Sequence, residues 1–237
     1  MVRMRKAILL LGVALLFGVW GCCAKAADAA AATASAGEEY PSLIPPGTGL
    51  FGSHEFRSTL KALPQWTRVM ASAQAQVDEM TRCNPDRETC TAAALSWQKI
   101  IHEARGQGAM EQLKTVNSFF NRWPYRLDID VYGMTEYWAT PQEFLRLSGD
   151  CEDYSITKYY ALRQLGVPVD NMRIVMLMDT IRGIAHAVLT VKQGEDYYVL
   201  DNLSDLLLSH RKYEHYIPQY SVNEHFRWAH VSPGSMR

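Results

Sequence analysis

The chain has 237 residues, of which 48% are hydrophobic and 21% charged, and its formal net charge is -1. This composition is typical of a globular protein that is long enough to bury a substantial core. Because a near-neutral chain offers no strongly basic face to displace counterions from a polyanion, the composition argues against a nucleic-acid partner.

The N-terminus predicts export. Three basic residues among the first six precede an apolar run at 7–20, which is too short to span a bilayer comfortably. An A-x-A sequence at 24–26 indicates cleavage there, so residues 1–26 are predicted to be a signal peptide. Lipidation of Cys22 is an alternative, although the bulky Trp20 makes a poor lipobox, and a retained membrane anchor is another. Each alternative places the body of the protein outside the cytoplasm.

The rest of the chain divides into a lead-in and one domain. Residues 27–50 are rich in Ala, Gly and Pro, which predicts a flexible lead-in, and residues 51–237 are predicted to fold. Cys83 and Cys90 flank a turn-forming segment and could close a small disulfide loop in an oxidising compartment. Cys151 is then the odd cysteine. It is either a small core residue or a reactive nucleophile.

The first part of the domain predicts helices. Apolar residues at three- and four-residue steps indicate helical segments over 54–80, with a break at Pro64, over 92–104 and over about 110–121. The stretch 123–139 is predicted to be irregular. Thr140 and Pro141 then supply a capping residue and a proline at the first helical position. A last helix is predicted from near Asp150 to Leu165, where Gly166 would cap its C-terminus.

The second part of the domain predicts strands. Short segments that are apolar or alternating, and rich in β-branched and aromatic residues, occur at 172–178, 185–191 and 196–200. A turn at Gly194 would join the last two in a hairpin. The aromatic-rich stretch 213–230 is predicted to be irregular. The expected fold class is α+β, with N-terminal helices followed by a small antiparallel sheet packed on the helix that carries Cys151.

Three residues are candidates for nucleophilic catalysis. Cys151 begins a predicted helix, where unsatisfied N–H groups and the helix dipole favour a thiolate and could stabilise an oxyanion. His186 falls in one predicted strand and Asp201 ends the next, so a hairpin would place base and orienting carboxylate side by side. The alternative interpretations are a satisfied sheet histidine and a strand-ending turn. The sequence has no glycine-rich phosphate loop, paired CxxC or HExxH helix to indicate other chemistry.

Four short motifs resemble those of a known family. The sequence GDCEDY at 149–154 is similar to the nucleophile motif of bacterial transglutaminase-like cysteine proteinases, whose best-known members are the LapG-type periplasmic adhesin proteases. The sequences at 185–189 and 200–202 resemble the family's His and Asp motifs and occur in the right order. The sequence at 137–141 resembles the stretch upstream of the family's cysteine. The resemblance covers roughly residues 55–230.

The resemblance implies a papain- or transglutaminase-like fold and a periplasmic cysteine endopeptidase. Cys151 would attack a peptide carbonyl, His186 would act as base and then acid, and Asp201 would orient the histidine. The family's substrates are large surface adhesins, whose cleavage near the N-terminus releases them and promotes biofilm dispersal. An inner-membrane receptor for cyclic di-GMP inhibits the protease. Two alternatives keep the fold: a transglutaminase or amidase with the same triad, and an inactive binding module.

The resemblance also implies a calcium ion beside the nucleophile. Asp150 and Glu152 match the positions of the family's ligands, and Ca²⁺ prefers carboxylate and carbonyl oxygens on a flexible loop. Asp128 and Asp130 are further candidate ligands, between which the sequence does not choose. Negative charges beside Cys151 would raise the pKa of its thiol, and a bound cation would oppose that effect. The alternative is that Asp150 caps the helix and Glu152 complements its dipole.

Overall fold

The described part of the chain combines helices with a sheet. The computed structural model describes residues 49–87 and 89–233. The predicted signal peptide, Cys22 and the lead-in up to residue 48 lie outside these residues. Leu50, the last residue of the predicted lead-in, is buried, and its backbone N–H donates a hydrogen bond to the carboxylate of Glu55 at 2.8 Å. The described fold therefore includes the end of the predicted lead-in.

The described ranges contain six α-helices, some of which begin at side-chain caps. They are α1 (Pro64–Arg82), α2 (Ala92–Ala104), α3 (Ala109–Phe120), α4 (Asp128–Tyr132), α5 (Pro141–Leu147) and α6 (Cys151–Gln164). The side chain of Thr91 accepts a hydrogen bond from the Ala94 amide and caps α2. Thr140 and Glu143 form a capping box at α5. The predictions for α2, α5 and α6 are confirmed, and the irregular stretch 123–139 contains the short helix α4.

The strands of the described residues form one antiparallel sheet. They are β1 (His54–Ser58), β2 (Met172–Asp179), β3 (Ile184–Gln193), β4 (Asp196–Asp201), β5 (Ser204–Ser209), β6 (Tyr216–Val222) and β7 (Arg227–Val231). Their order across the sheet is β1-β7-β6-β2-β3-β4-β5. The three predicted strands and the hairpin between the last two are confirmed as β2, β3 and β4.

Two of the secondary-structure predictions are wrong. Residues 54–58, predicted to be helical, form β1 and pair with β7, so that Phe56 lies opposite Ala229. The segment 213–230, predicted to be irregular, contains β6 and most of β7. Pro218 within β6 weakens the strand pattern in the sequence. Because the pairing partner of β1 is more than 160 residues away, local spacing could not reveal it.

The helices cover one face of the sheet and surround α6. The core between them includes Trp66, Trp97, Phe120 and Tyr159, all fully buried. Every residue from Glu152 to Leu162 in α6 is buried, so this helix has no solvent-facing stripe and packs on β2 and β3. A smaller apolar cluster that includes Leu50 also contains Val188 of β3 and Val199 of β4. Because α6 packs on β3 and β3 pairs with β4, the helix that begins at Cys151 lies against the strand of His186 and next to the strand of Asp201.

The cysteines behave as the sequence indicated. Cys83 and Cys90 form a disulfide in the loop between α1 and α2. Within the described ranges, Cys151 is the free cysteine. No helix in those ranges has the length and apolar character needed to cross a lipid bilayer.

Candidate active site

Cys151 is the first residue of α6, and a carboxylate two residues later holds the backbone around it. Asp153 accepts hydrogen bonds from the Ala139 amide at 2.6 Å and from the Asp150 amide at 3.3 Å. The side chain of Asp153 therefore ties the entry of α6 to the stretch preceding α5. Cys151 is presented at a helix N-terminus, where free amides and the helix dipole stabilise negative charge.

His186 and Asp201 form a buried pair on neighbouring strands. The Nε2 atom of His186 lies 2.9 Å from Oδ1 of Asp201. The other carboxylate oxygen of Asp201 accepts a hydrogen bond from the hydroxyl of Tyr216 at 2.7 Å, and Oδ1 also accepts one from the Leu203 amide at 3.0 Å. Because Nε2 is engaged by the carboxylate, Nδ1 is the ring nitrogen of His186 that remains for proton transfer.

The environment of Asp201 favours the ionised carboxylate. Burial by itself would raise the pKa of Asp201, but the hydrogen bond and charge of His186, with the bonds from Tyr216 and the Leu203 amide, hold it below its usual range. An ionised Asp201 fixes the proton of His186 on Nε2. That tautomer leaves Nδ1 free to accept a proton.

Cys151 and His186 line one cleft. The cleft has a volume of about 380 Å³ and is bounded on one side by the segment around α4 and on the other by β2, β3 and β6. Its wall includes the aromatic residues Tyr125, Trp138 and Tyr220. Tyr125 is half exposed, so the cleft is open at that edge. Cys151 itself is partly exposed, so this cysteine is not sealed in the apolar core.

The thiol of Cys151 has acidic neighbours. It donates a hydrogen bond to Oε2 of Glu152 at 3.5 Å. Burial, followed by the charges of Glu152 and Asp150, raises the pKa of Cys151 well above its usual value, while a hydrogen bond from the Ala187 backbone lowers it. The carboxylates next to Cys151 thus oppose the helix dipole and disfavour the thiolate.

Carboxylates also converge on the other side of Asp150. Oxygen atoms of Asp128, Asp150 and Asp153 all lie within 4.8 Å of one another. Oδ1 of Asp128 and Oδ1 of Asp150 are buried and have no hydrogen-bond partner in the protein. Burial, with the charges of Asp150 and Glu136, raises the pKa of Asp128 to about 6, although a bond from the Tyr137 amide lowers it. Asp130 is exposed and is not part of this group.

A cation is the partner that such a group lacks. Buried carboxylate oxygens without donors are costly, and three carboxylates at this separation repel one another. Hard oxygen ligands of this kind suit Ca²⁺. Glu152 belongs to a second group with Asp150 and Cys151, so Asp150 is common to both. The residues present therefore fit a calcium ion. The assignment of Asp150 and Glu152 as its ligands stays a prediction.

The comparison with known proteins identifies the family. A sequence model described as bacterial transglutaminase-like cysteine proteinase matches residues 69–236. The chain belongs to this family. The protein is a transglutaminase-like cysteine protease, and its α+β architecture is the fold expected from the sequence motifs. No curated protein sequence matches the chain.

Solved structures of one bacterial protein resemble this one over most of that protein's length. Legionella pneumophila LapG is 28% identical, with 67% of this chain and 90% of that chain covered and a TM-score of 0.56. A calcium-bound structure of that protein is 29% identical over 65% of this chain and 87% of that chain, with a TM-score of 0.55. An EGTA-treated structure is 27% identical, with coverage of 68% and 91% and the same TM-score of 0.55.

The sequence predicts Cys151, His186 and Asp201 as catalytic candidates but misses the residues that hold them in place. Tyr216 lies in a segment that the sequence predicts to be irregular, and nothing in its local pattern indicates that its hydroxyl meets Asp201. The sequence indicates no role for Asp153 beyond complementing the dipole of its helix. The signal that could have found it is Gly149, because a glycine before a helix cap often marks a close approach.

In this protease the backbone at Gly149 lies very close to the side chain of Asp153, so a larger residue at position 149 should destabilise the fold. A Cβ atom at position 149 would lie 1.9 Å from Oδ2 of Asp153. Gly149→Ala should therefore displace Asp153 from the Ala139 amide and lower the free energy of unfolding by about 1–3 kcal/mol. Denaturant unfolding measures this loss. Gly108→Ala, where nothing lies within 4 Å of the added atom, is the control, and an equal loss there would contradict the explanation.

Proposed function

We propose that this protein is a calcium-dependent periplasmic cysteine endopeptidase with Cys151, His186 and Asp201 as its catalytic triad. The observation that carries the proposal is that His186 donates through Nε2 to Asp201 while lining the same cleft as Cys151. A histidine so placed has one nitrogen bound to an ionised carboxylate and one available to the thiol. This is the arrangement that activates a nucleophile for acyl transfer.

The residues support a two-step mechanism. Nδ1 of His186 takes the thiol proton of Cys151, and the sulfur attacks the carbonyl carbon of the scissile peptide. Backbone amides at the start of α6 are placed to stabilise the oxyanion of the tetrahedral intermediate. As the C–N bond breaks, the imidazolium of His186 gives its proton to the leaving amine, which leaves an acyl-thioester on Cys151.

Water completes the reaction with the same residues. His186, now neutral, removes a proton from a water molecule, and the resulting hydroxide attacks the thioester carbonyl. The C–S bond breaks and Cys151 leaves as a thiolate. The proton held by His186 then returns to the sulfur of Cys151. Asp201 remains ionised throughout and, with Tyr216 holding its second oxygen, keeps the imidazole in one orientation.

The acidic groups support calcium dependence. Asp150 and Glu152, with Asp128 and Asp153 beside them, are the residues that would hold the ion. Bound there, Ca²⁺ would neutralise carboxylate charge next to Cys151 and so favour ionisation of its thiol. The calcium-bound and EGTA-treated structures of Legionella pneumophila LapG, a similar protease, support the same proposal.

The resemblance to LapG-type proteases supports a large surface adhesin as the substrate. Cleavage near the adhesin's N-terminus would release it and promote biofilm dispersal, and an inner-membrane cyclic-di-GMP receptor would act as the inhibitor. The basic and apolar N-terminus of the sequence supports the periplasmic location that such partners require. The cleft, with a volume of about 380 Å³ and an open edge at the half-exposed Tyr125, supports entry of a substrate segment.

The test is incubation of the purified protein with an N-terminal fragment of a surface adhesin from the same organism, with and without EGTA. Two calcium-dependent fragments, absent with Cys151→Ala, are expected. Cross-linked or amine-modified product would instead indicate a transglutaminase. An unaltered substrate that binds the protein equally tightly with Cys151→Ala would indicate a binding module, and either result would overturn the proposal.

A further inference from the structure

A buried lysine connects the helix of Cys151 to α3. Lys158 lies about two turns after Cys151 on α6, and its side chain is completely buried. Its Nζ atom donates hydrogen bonds to Oδ1 of Asn117 and to Oδ1 of Asn121, each at 2.7 Å. Asn117 lies in the last turns of α3, and Asn121 is the residue that follows this helix. The proposed mechanism assigns no part to this amine.

The two asparagines extend the connection to the turn that bears Asp201. The side-chain amide of Asn121 donates to the carbonyl of Asp201 at 2.9 Å and to the carbonyl of Ser204 at 3.1 Å. The amide of Asn117 donates to the same Ser204 carbonyl at 2.9 Å. Asp201 and Ser204 are paired across the turn between β4 and β5. Both carbonyls of this pair are therefore held by asparagines that Lys158 in turn orients.

Burial of the Lys158 amine costs free energy, which argues that the network is not incidental packing. Burial lowers the pKa of Lys158 to about 7, and the charges of Asp201 and Asp205 oppose the shift. An amine buried in this way destabilises the fold unless hydrogen bonds satisfy it, and a satisfied network fixes one arrangement of the groups it joins. Here the groups are the helix that carries the nucleophile and the turn that carries the carboxylate.

We infer that Lys158, acting through Asn117 and Asn121, is a positioning residue that sets the Asp201 turn relative to the N-terminus of α6. The inference rests on the proposed function, because it requires Asp201 to orient His186 toward Cys151. Asp201 contacts His186 through one oxygen, so a shift of the turn moves the imidazole as well. Misplacement of a catalytic group by about 1 Å slows a reaction by on the order of 100-fold.

The test compares Lys158→Met and Asn121→Ser with Gln164→Met. Gln164 is the last residue of the same helix and accepts a partly buried hydrogen bond from Trp97 at 2.6 Å, so its loss reports general loosening of α6. The first readout is the rate at which iodoacetamide modifies Cys151 in calcium-containing buffer, followed by peptide mass spectrometry, which needs no substrate. The second is the NMR signal of the Nε2 proton of His186. Melting temperatures are measured for all variants.

Lys158→Met and Asn121→Ser are expected to slow alkylation by roughly 10- to 100-fold and to make the His186 proton exchange faster. Gln164→Met should lower the melting temperature but keep both readouts. Wild-type rates and signals in Lys158→Met overturn the inference, as does an equal loss in Gln164→Met. If Lys158→Met does not fold, Asn121→Ser decides by the same criteria.

Asp201→Asn separates this inference from the proposed function. If Asp201→Asn slows alkylation and Lys158→Met does not, the triad stands and only the positioning role is wrong. If Asp201→Asn leaves alkylation unchanged, the triad is wrong and the inference falls with it. If Asp201→Asn and Lys158→Met slow alkylation and alter the His186 signal in the same way, both are supported.

Discussion

Replacing His186 by alanine is expected to lower kcat/KM for peptide cleavage by about 10³- to 10⁴-fold, because it removes the group that acts as base and then as acid in the proposed mechanism. Its Nε2 atom is bound to Asp201, and both residues are almost completely buried, so no water shell substitutes for the imidazole. The measurement is the cleavage rate of the adhesin fragment under single-turnover conditions. Cys151→Ala should give a similar loss, and the double variant should be no slower than either single variant.

The chain contains a matched control for this variant. His225 and Asp170 form a second histidine–aspartate pair, with Nδ1 and Oδ1 3.1 Å apart, but both residues are exposed. An exposed pair contributes little because solvent screens it. His225→Ala should therefore leave the cleavage rate unchanged. Unchanged cleavage by His186→Ala, or an equal loss in His225→Ala, would remove His186 from the mechanism.

The pair of His186 and Asp201 also predicts how the stability of the fold depends on pH. The folded environment lowers the pKa of Asp201, so its stabilising contribution is complete above the usual Asp range and is lost as pH falls through the lowered value. Below pH about 4, Asp201→Asn should therefore flatten the acid dependence of the melting temperature relative to wild type. An identical acid dependence in the two proteins would show that the bonds from His186 and Tyr216 do not favour the ionised form.

Local patterns predicted the parts of the fold that local interactions determine. The apolar spacing predicts the helix 92–104, and Gly166 predicts where α6 ends. The hairpin joining β3 and β4 was predicted from alternation around a glycine turn. In each case the signal lies within the segment itself, because helix caps and tight turns involve residues a few positions apart.

The missed parts depend on contacts between distant segments. The strand β1 resembles a helical segment by its apolar spacing and becomes a strand through pairing with β7. Likewise, sequence reasoning could not choose between Asp128 and Asp130 as neighbours of Asp150. A bridge between Tyr125 and Gly149, with a hydrogen bond from the Arg126 amide to the Gly149 carbonyl at 2.9 Å, makes that choice. It brings Asp128 to the entry of α6 and leaves Asp130 in solvent.

Removal of calcium is expected to lower the cleavage rate by on the order of 100-fold and to destabilise the fold. Without a cation, the buried oxygens of Asp128 and Asp150 have no partner in the protein. Burial, together with the carboxylate charge beside Cys151, raises the pKa of its thiol and so disfavours the thiolate. An ion present at about 100 times its Kd would add about 2.7 kcal/mol to the free energy of unfolding. Melting temperature and cleavage rate, titrated with Ca²⁺ after EGTA treatment, measure both effects.

Asp128→Asn and Asp130→Asn form a matched pair that locates the site. Each removes one negative charge from the same short helix, but only Asp128 has an oxygen within 4.8 Å of those of Asp150 and Asp153. Asp128→Asn should weaken calcium binding by at least about 10-fold in calorimetry, whereas Asp130→Asn should bind as the wild type does. Equal weakening by both variants would mean that Ca²⁺ responds to general negative charge around the cleft. If neither variant alters binding, the ion would instead lie in the second group, formed by Asp150, Cys151 and Glu152.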